Sequence, residues 1–466
     1  MSLAQSIFLD RVPFTLSYDY IIYTDGTYVY AFNTKTKQIE FVNTDASTVV
    51  QSAINALPNG GIIKLAVLTI NGNIIIGNPG IYLEGGAVAP GIQFSNTTTN
   101  ATTINGNVSI SAENVMLRNI RINGNLTFEA TPDLSNIAHY CICENVAVYG
   151  TVNIVGASGA DSGHVPFNIF FIGGDITIST AGGTCVNLIS EAPSAIGHIY
   201  FIGTAITQLQ SGTLINIQGN FADVHFTNCL IFPASTGVTV ISLAPSPVNG
   251  YFSLQNFTID GCSIEVGATD TTFLYVPSSL SGNPISILVN GGAIVGNTLN
   301  KIIDDNTTGG RAFHRLVFIG TQLTDQTSLR FRQVWSPPQV QVMFIGCQMK
   351  SGVTVTQLAT GVFETAVYRN NMNFNPKGLL ATPFVSNVIS LLGTGSPAPS
   401  TDYRVSDVDV MIQVTGGTGV SITIKDPAGN IVISGVSTLP RTLLPIGYTI
   451  NFGAFTVAPT VIVEGL

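Results

Sequence analysis

The residues best equipped for chemistry in this 466-residue chain crowd into one short stretch. Four of its ten arginines, Arg311, Arg315, Arg330 and Arg332, fall there together with His314. Trp335, the single tryptophan, follows at once in Val334-Trp335-Ser336-Pro337-Pro338. A guanidinium fork grips a carboxylate or sulfate through paired N–H donors, and an aromatic face stacks on a flat, partly apolar ring such as a sugar. The set reads as a glycan-binding surface. A plainer alternative stands beside it, in which Trp335 packs under its own Pro-rich loop and the arginines pair with acids of a neighbouring subunit.

Cleavage of a polysaccharide asks for something else, two carboxylates at a fixed separation. The adjacent acidic pair in the repeat region is Asp304-Asp305, with Gly309-Gly310 close behind, and the expectation is a solvated loop. Asp175 and Asp260 stand isolated within turns. No catalytic residue is assigned. No metal or cofactor is expected either, because there is no Cys-x-x-Cys and the five histidines are scattered. Cys229, Cys262 and Cys347 share one slot of the repeat described next, so the six cysteines read mainly as reduced, buried thiols.

The elements that must position these groups follow from a six-residue pattern: apolar, any, Gly or Asn, any, any, apolar. It occurs eleven times, starting at Leu83, Leu117, Cys143, Phe171, Phe201, Phe226, Ile259, Val289, Phe318, Phe344 and, in degenerate form, Tyr368. Self-similarity at a loose period of 24–34 residues marks a solenoid or propeller. The segments alternate, or run apolar for three to six residues with β-branched enrichment, as in Ile74-Ile75-Ile76 and Ile176-Thr177-Ile178. That pattern excludes helical repeats. The period suits three short strands per coil, and Gly or Asn at the third position serves a left-handed backbone corner.

Both ends differ from the middle. Residues 1–44 alternate around Asp25-Gly26 and Asn33-Thr34-Lys35-Thr36-Lys37 turns, which predicts a β cap or docking module. Asp45 is placed as the N-cap of a short amphipathic helix burying Val49, Val50, Ala53, Ile54 and Leu57, followed by Gly60-Gly61 and the first strand. Residues 45–375 then form the solenoid, with the helix closing its open end. After the Gly- and Pro-rich run 393–399, alternating strands predict an antiparallel β-sandwich over 376–466.

The helix–Gly-Gly–strand opening followed by the repeat resembles the pectate-lyase-like right-handed parallel β-helix superfamily, including viral tailspikes. The resemblance covers residues 45–375 and implies an all-β solenoid. The active-site strings of pectin lyases and polygalacturonases are not visible, so no catalytic residue carries over. The Tyr-rich head and Asp45-Ala46-Ser47-Thr48-Val49-Val50-Gln51 look like tail-fibre proteins of spindle-shaped viruses of thermoacidophilic archaea, which implies adhesion.

Composition bounds the partners. Lys plus Arg total 17 against 26 acids, with no basic run, which argues against nucleic acid. No run of about 20 apolar residues is present to insert in a membrane, and Met1–Ile7 lacks the charged start of a secretory signal. Only 9% of residues are charged. A chain this apolar is expected to hide outer faces against copies of itself, as a homotrimer. Sequons at Asn96, Asn100, Asn107, Asn125, Asn256 and Asn306 are candidate glycosylation acceptors in an extracellular setting.

The expectation is a virion-surface tail fibre or spike, assembled with other virion proteins, that binds a host-surface glycan or glycoprotein. The alternatives are a polysaccharide lyase or hydrolase on the same scaffold, and a cellular surface-layer or adhesin filament.

Overall fold

The six-residue repeat is the corner at which each coil leaves one sheet for the next. In sheet 1, strand pairing sets Leu83, Leu117, Cys143, Phe171, Phe201 and Phe226 side by side in one column. The column continues through Ile259, Val289, Phe318, Phe344 and Tyr368. All eleven first positions are therefore in register. The sixth positions line up likewise in sheet 2, through Ile122, Val148, Ile176, Ile206, Ile231, Ile264 and Ile294, each buried. At the third position the backbone is left-handed at Asn119, Asn145, Gly173, Gly203, Asn228, Gly261, Gly291, Gly320 and Gly346. The first copy departs from this rule: Gly85 is not left-handed, and the sheet 2 strand beside Ile120–Ile122 is Thr102–Asn105.

The structure, a computed structural model, describes residues 18–66, 68–86, 101–130, 135–156, 165–191, 196–246, 252–280, 282–306, 314–333, 340–351, 353–358, 367–369, 371, 384–385, 388–389, 393–395, 397, 400, 402–405, 410–445 and 448–465. Among the described residues, sheets 2 and 3 each hold eleven parallel strands, and successive coils add one strand to each sheet. The described residues thus wind through eleven coils.

A second corner, from sheet 2 to sheet 3, is built on Asn-Gly-Asn at 71–73, 105–107 and 123–125. Each Asn side chain receives a main-chain N–H from the next coil at 2.9 Å: Asn73 from Asn107, Asn107 from Asn125, and Asn125 from Thr151. A Cβ at Gly106, Gly124 or Gly150 would fall within 2.4 Å of the preceding glycine's carbonyl oxygen, so the stack admits no side chain. This corner is the second device that keeps the coils in register, and the six-residue pattern does not reveal it.

Strand alternation sends every second side chain inward, where one continuous core runs the length of the solenoid. Phe171, Phe201 and Phe226 stack within it at 4.7 Å between centroids. All six cysteines are buried free thiols in this core, and Cys262 Sγ accepts the Cys229 N–H at 3.2 Å. Burial pushes the Cys141 thiol up to about 12.

At the first coil, Tyr20–Thr24 pairs parallel with Gly61–Leu65 and antiparallel with Val29–Asn33, so the N-terminal meander extends sheet 1 to 15 strands. Tyr20, Ile22, Val29 and Ala31 join the solenoid core. Helix α1 (Ala46–Asn55) packs on the meander and the first coil, with Asp45 capping the Ser47 and Thr48 N–H groups. It buries Val49, Val50, Ala53 and Ile54 over the apolar end. The C-terminal residues form a six- and a four-stranded sheet around a separate core that includes Tyr403, Ile412, Ile422, Phe452 and Val461. Among the described residues, strand pairing there is antiparallel except for Val388–Ile389 beside Asp402–Val405.

Candidate functional site: a polar groove on the corner between sheets 2 and 3

The four arginines of the sequence cluster do not form one patch. Arg315 lies in sheet 1 between Ser286 and Gln341 and is exposed. Arg330 and Arg332 lie in the strand Ser328–Gln333 of sheet 3 and point outward, because Leu329 and Phe331 between them face the core. Arg311 and Trp335 lie outside the described residues.

Arg330 lines an open groove of about 490 Å³ with Thr269, Asp270, Thr298, Leu299, Asn300, Thr327 and Ser328. These residues come from three successive turns between sheets 2 and 3. Within the groove Arg330 Nη1 donates to Asn300 Oδ1 at 2.9 Å, and Asn300 Nδ2 donates to Asp270 Oδ1 at 2.6 Å. Among the described residues this is the guanidinium's one partner. Thr298 and Thr327 share a hydroxyl bond at 2.8 Å beside it. Beneath the turn, buried Gln326 accepts the Leu299 N–H at 2.8 Å and donates to Asn297 O at 3.2 Å, which holds two of the turns together.

The acidic pair is not a solvated loop. Asp304 and Asp305 end the sheet 3 strand Lys301–Asp305, and both are buried. Asp304 receives Lys301 Nζ at 2.6 Å and Arg332 Nη1 at 2.7 Å. Burial works to raise its pKa, but the bonds from Lys301 and Arg332 outweigh it and hold the carboxyl below its usual range. A carboxylate so held ties the strand to its neighbour, where Asp304 pairs with Arg332. Asp175 begins the sheet 2 strand Asp175–Ile178 and is buried, with its carboxyl pushed up to about 6 by desolvation against a bond from Thr177. Asp260 accepts Asn290 Nδ2 at 2.7 Å at the end of sheet 1.

The outer faces differ in chemistry. Sheet 1 turns outward a column that includes Met116, Ile142, Phe170, Tyr200, His225 and Leu288. Phe170, Tyr200 and His225 stack there at 4.9 and 5.0 Å, and Ile172, Ile202 and Ile319 stand 37–40% exposed alongside. Sheet 3 instead turns out Ser109, Thr127, Asn153, Asn187, Asn216 and Ser242 in one column. Asn187 donates to Asn153 at 3.2 Å and Asn216 to Asn187 at 2.8 Å.

Of the sequons, Asn107 and Asn125 use their carbonyl oxygens in the corner ladder and are exposed. Asn256 donates to Asp223 at 2.8 Å, and Asn306 donates to Asp304 at 3.0 Å and accepts from Arg332. Asn96 and Asn100 lie outside the described residues. The groove partners Asp270, Asn300 and Thr298 were missed by motif reading. Their signal is the period: Asp270, Asn300 and Arg330 follow one another at intervals of 30 residues, one coil apart.

No protein-family model matches this sequence, and no curated protein matches it. Among solved structures, the chain is similar to tailspike protein gp49 of Acinetobacter baumannii bacteriophage Fri1, a capsular polysaccharide depolymerase. That match has 13% identity and a TM-score of 0.42, over 91% of this chain and 83% of that one. It is similar to the gp49 tailspike of Pseudomonas phage LKA1 at 12% identity and a TM-score of 0.31, over 87% and 68% of the two chains. A third is the tailspike of E. coli bacteriophage HK620 in complex with a hexasaccharide, at 11% identity and a TM-score of 0.29, over 91% and 90%. Similarity this distant carries no activity across. The site has to.

Proposed function

We propose that this chain is a virion-surface spike or fibre that attaches to a host-surface glycan. The corner groove at Arg330 makes the contact, and the apolar outer face of sheet 1 packs against copies of the chain in a homotrimer. The carrying observation is Arg330 itself. It is anchored through one nitrogen to Asn300 in an open, hydroxyl-lined groove, with its remaining donors unused among the described residues. A pre-positioned guanidinium fork suits an anionic substituent on a sugar, and the threonine and asparagine rim suits sugar hydroxyls. Phe170, Tyr200 and the exposed isoleucines of sheet 1 supply the apolar contact that self-association requires.

The proposal rests on the groove and not on the similarity to tailspikes. Placement among fibres of archaeal spindle-shaped viruses rests on the Tyr-rich head and the Asp45–Gln51 string. Attachment without cleavage is the form adopted, because Asp304 is held between Lys301 and Arg332. The test is to mix the protein with isolated envelopes of a candidate host, then follow protein depletion and sugar release by mass spectrometry. Depletion without released oligosaccharide is expected. Progressive release would make the chain a depolymerase, and no depletion from any host envelope would remove the attachment reading.

A further inference from the structure

A second groove lies on the same corner, nearer the N-terminal end, and nothing in the Arg330 site accounts for it. It encloses about 460 Å³ and is lined by Tyr149, Thr151, Thr177, Ser179, Thr180 and Leu209 over a floor that includes Gly124 and Gly150. Its origin is a step in the solenoid. Through the first four coils the corner is the tight Gly stack, but from Gly183 onward the sheet 3 strands start three residues earlier, since Val152 pairs with Val186. The corner moves outward at that point and leaves a recess against the glycine floor.

The walls are pre-arranged. Arg121 covers one face of the Tyr149 ring, with its guanidinium carbon 4.3 Å from the centroid, and Arg121 Nε is held by Asn123 Oδ1 at 2.9 Å. Tyr149 lines the groove and Arg121 does not, so the cation that braces the ring is not itself part of the lining. Thr177 Oγ1 donates to Asp175 Oδ1 at 2.9 Å. Asp175 is more than nine-tenths buried, so its carboxylate fixes that hydroxyl's proton and leaves the Thr177 oxygen to accept a bond in the groove. Leu209, 38% exposed, is an apolar edge of the groove one coil beyond Ser179 and Thr180, with its N–H bonded to Ile178 O at 2.9 Å.

We propose that this groove is a subsite for an uncharged sugar ring, with the ring's apolar face on Tyr149 and Leu209 and its hydroxyls on Thr151, Thr177, Ser179 and Thr180. Among the described residues no charged side chain lines the groove, which sets it apart from the Arg330 site, where Arg330 and Asp270 do. A rigid aromatic wall plus a few fixed polar groups is the usual make-up of a small-molecule site. From Tyr149 to Asn300 is five coils, or about 24 Å at roughly 4.8 Å per strand spacing. One extended glycan following the corner would meet both sites, giving a polymer an avidity that its separate units lack. The inference rests on the glycan-attachment reading above.

The experiment is saturation-transfer NMR and calorimetry on the full chain with maltose, lactose, mannobiose and chitobiose as probes. The same titrations follow on Tyr149→Ala, Leu209→Lys and Arg330→Ala. At least one disaccharide is expected to bind, with affinity falling tenfold or more in Tyr149→Ala and Leu209→Lys and unchanged in Arg330→Ala. Leu209 is on the exposed edge, so its substitution serves if Tyr149→Ala fails to fold. Two results would overturn the subsite: no probe binding to protein that still binds envelopes, or binding that survives both groove substitutions. Protein that binds neither probes nor envelopes would fail the attachment reading as well.

Discussion

Asn300 and Arg330 sit one coil apart and meet at 2.9 Å, and Asn300 in turn donates to Asp270 a further coil away at 2.6 Å. Three residues distant in sequence thus become a chain running along the solenoid axis. The guanidinium is held at one nitrogen, so little side-chain freedom is left to lose when a ligand takes the rest of the fork. On the proposed attachment, Arg330 would meet its ligand already oriented.

Asp304 lies between Lys301 and Arg332, and its pKa is lowered on folding. Its contribution to stability is present above the unfolded carboxylate range and is lost as pH falls through the folded value. Asp304→Asn is expected to cost about 1–3 kcal/mol near neutral pH, as for a buried charged hydrogen bond removed. Urea unfolding at pH 7 and at about pH 3 checks this. The gap between variant and parent should narrow in acid, and a gap that widens there would contradict the assignment.

Asp175 has the opposite sign. Its carboxyl is pushed up to about 6 by burial, so the folded state holds the proton where the unfolded chain has released it. Stability then falls as pH rises from about 4 to 6, by an amount on the order of 3 kcal/mol. Asp175→Asn should remove that loss, melting higher than the parent at pH 7.5 and level with it near the acid limit. Equal differences at both pH values would contradict burial as the cause.

Gly203 occupies the third position of the repeat with φ +62°, and a Cβ there would meet nothing within 4 Å. The same slot holds Asn145 and Asn228 at φ 51°. Gly203→Asn is expected to fold with a loss under about 1 kcal/mol, and Gly203→Val to lose about 2 kcal/mol or more, since the left-handed region disfavours a β-branched side chain. Thermal melts separate the two. Equal losses would mean that sterics with neighbours, and not backbone conformation, govern the corner.

The corner was legible in the sequence because its cause is local: a left-handed residue between two inward-facing apolar positions, which Phe201-Ile202-Gly203-Thr204-Ala205-Ile206 spells out. Asp45 and helix α1 were legible for the same reason. The Asn-Gly-Asn corner was present in the text at 71–73, 105–107 and 123–125 but lacked an apolar flag, and it fades after Thr151. Asp304-Asp305 misled because the glycines behind it signal a turn, whereas strand pairing with Arg332 decides the pair's fate. Arg315 was grouped with Arg330 by proximity in sequence, yet fifteen residues of a coil carry the chain from sheet 1 to sheet 3. Neither groove was visible, since each is assembled from short runs of residues on several coils.

The outer column of sheet 1 bears on assembly. Phe170→Asp with Tyr200→Asp places charge in the stacked aromatic ladder, and the double variant is expected to shift from the mass of three chains to that of one in light scattering. An unchanged trimer would move the association face elsewhere, and a monomeric parent would remove it.

Binding of the parent and Arg330→Ala to the same host envelopes, measured as an affinity alongside melting temperature, tests attachment through the corner groove most directly. The account predicts a loss of about tenfold, worth roughly 1.4 kcal/mol for a lost charged hydrogen-bonding group, with no change in melting temperature. Full binding by Arg330→Ala would contradict it.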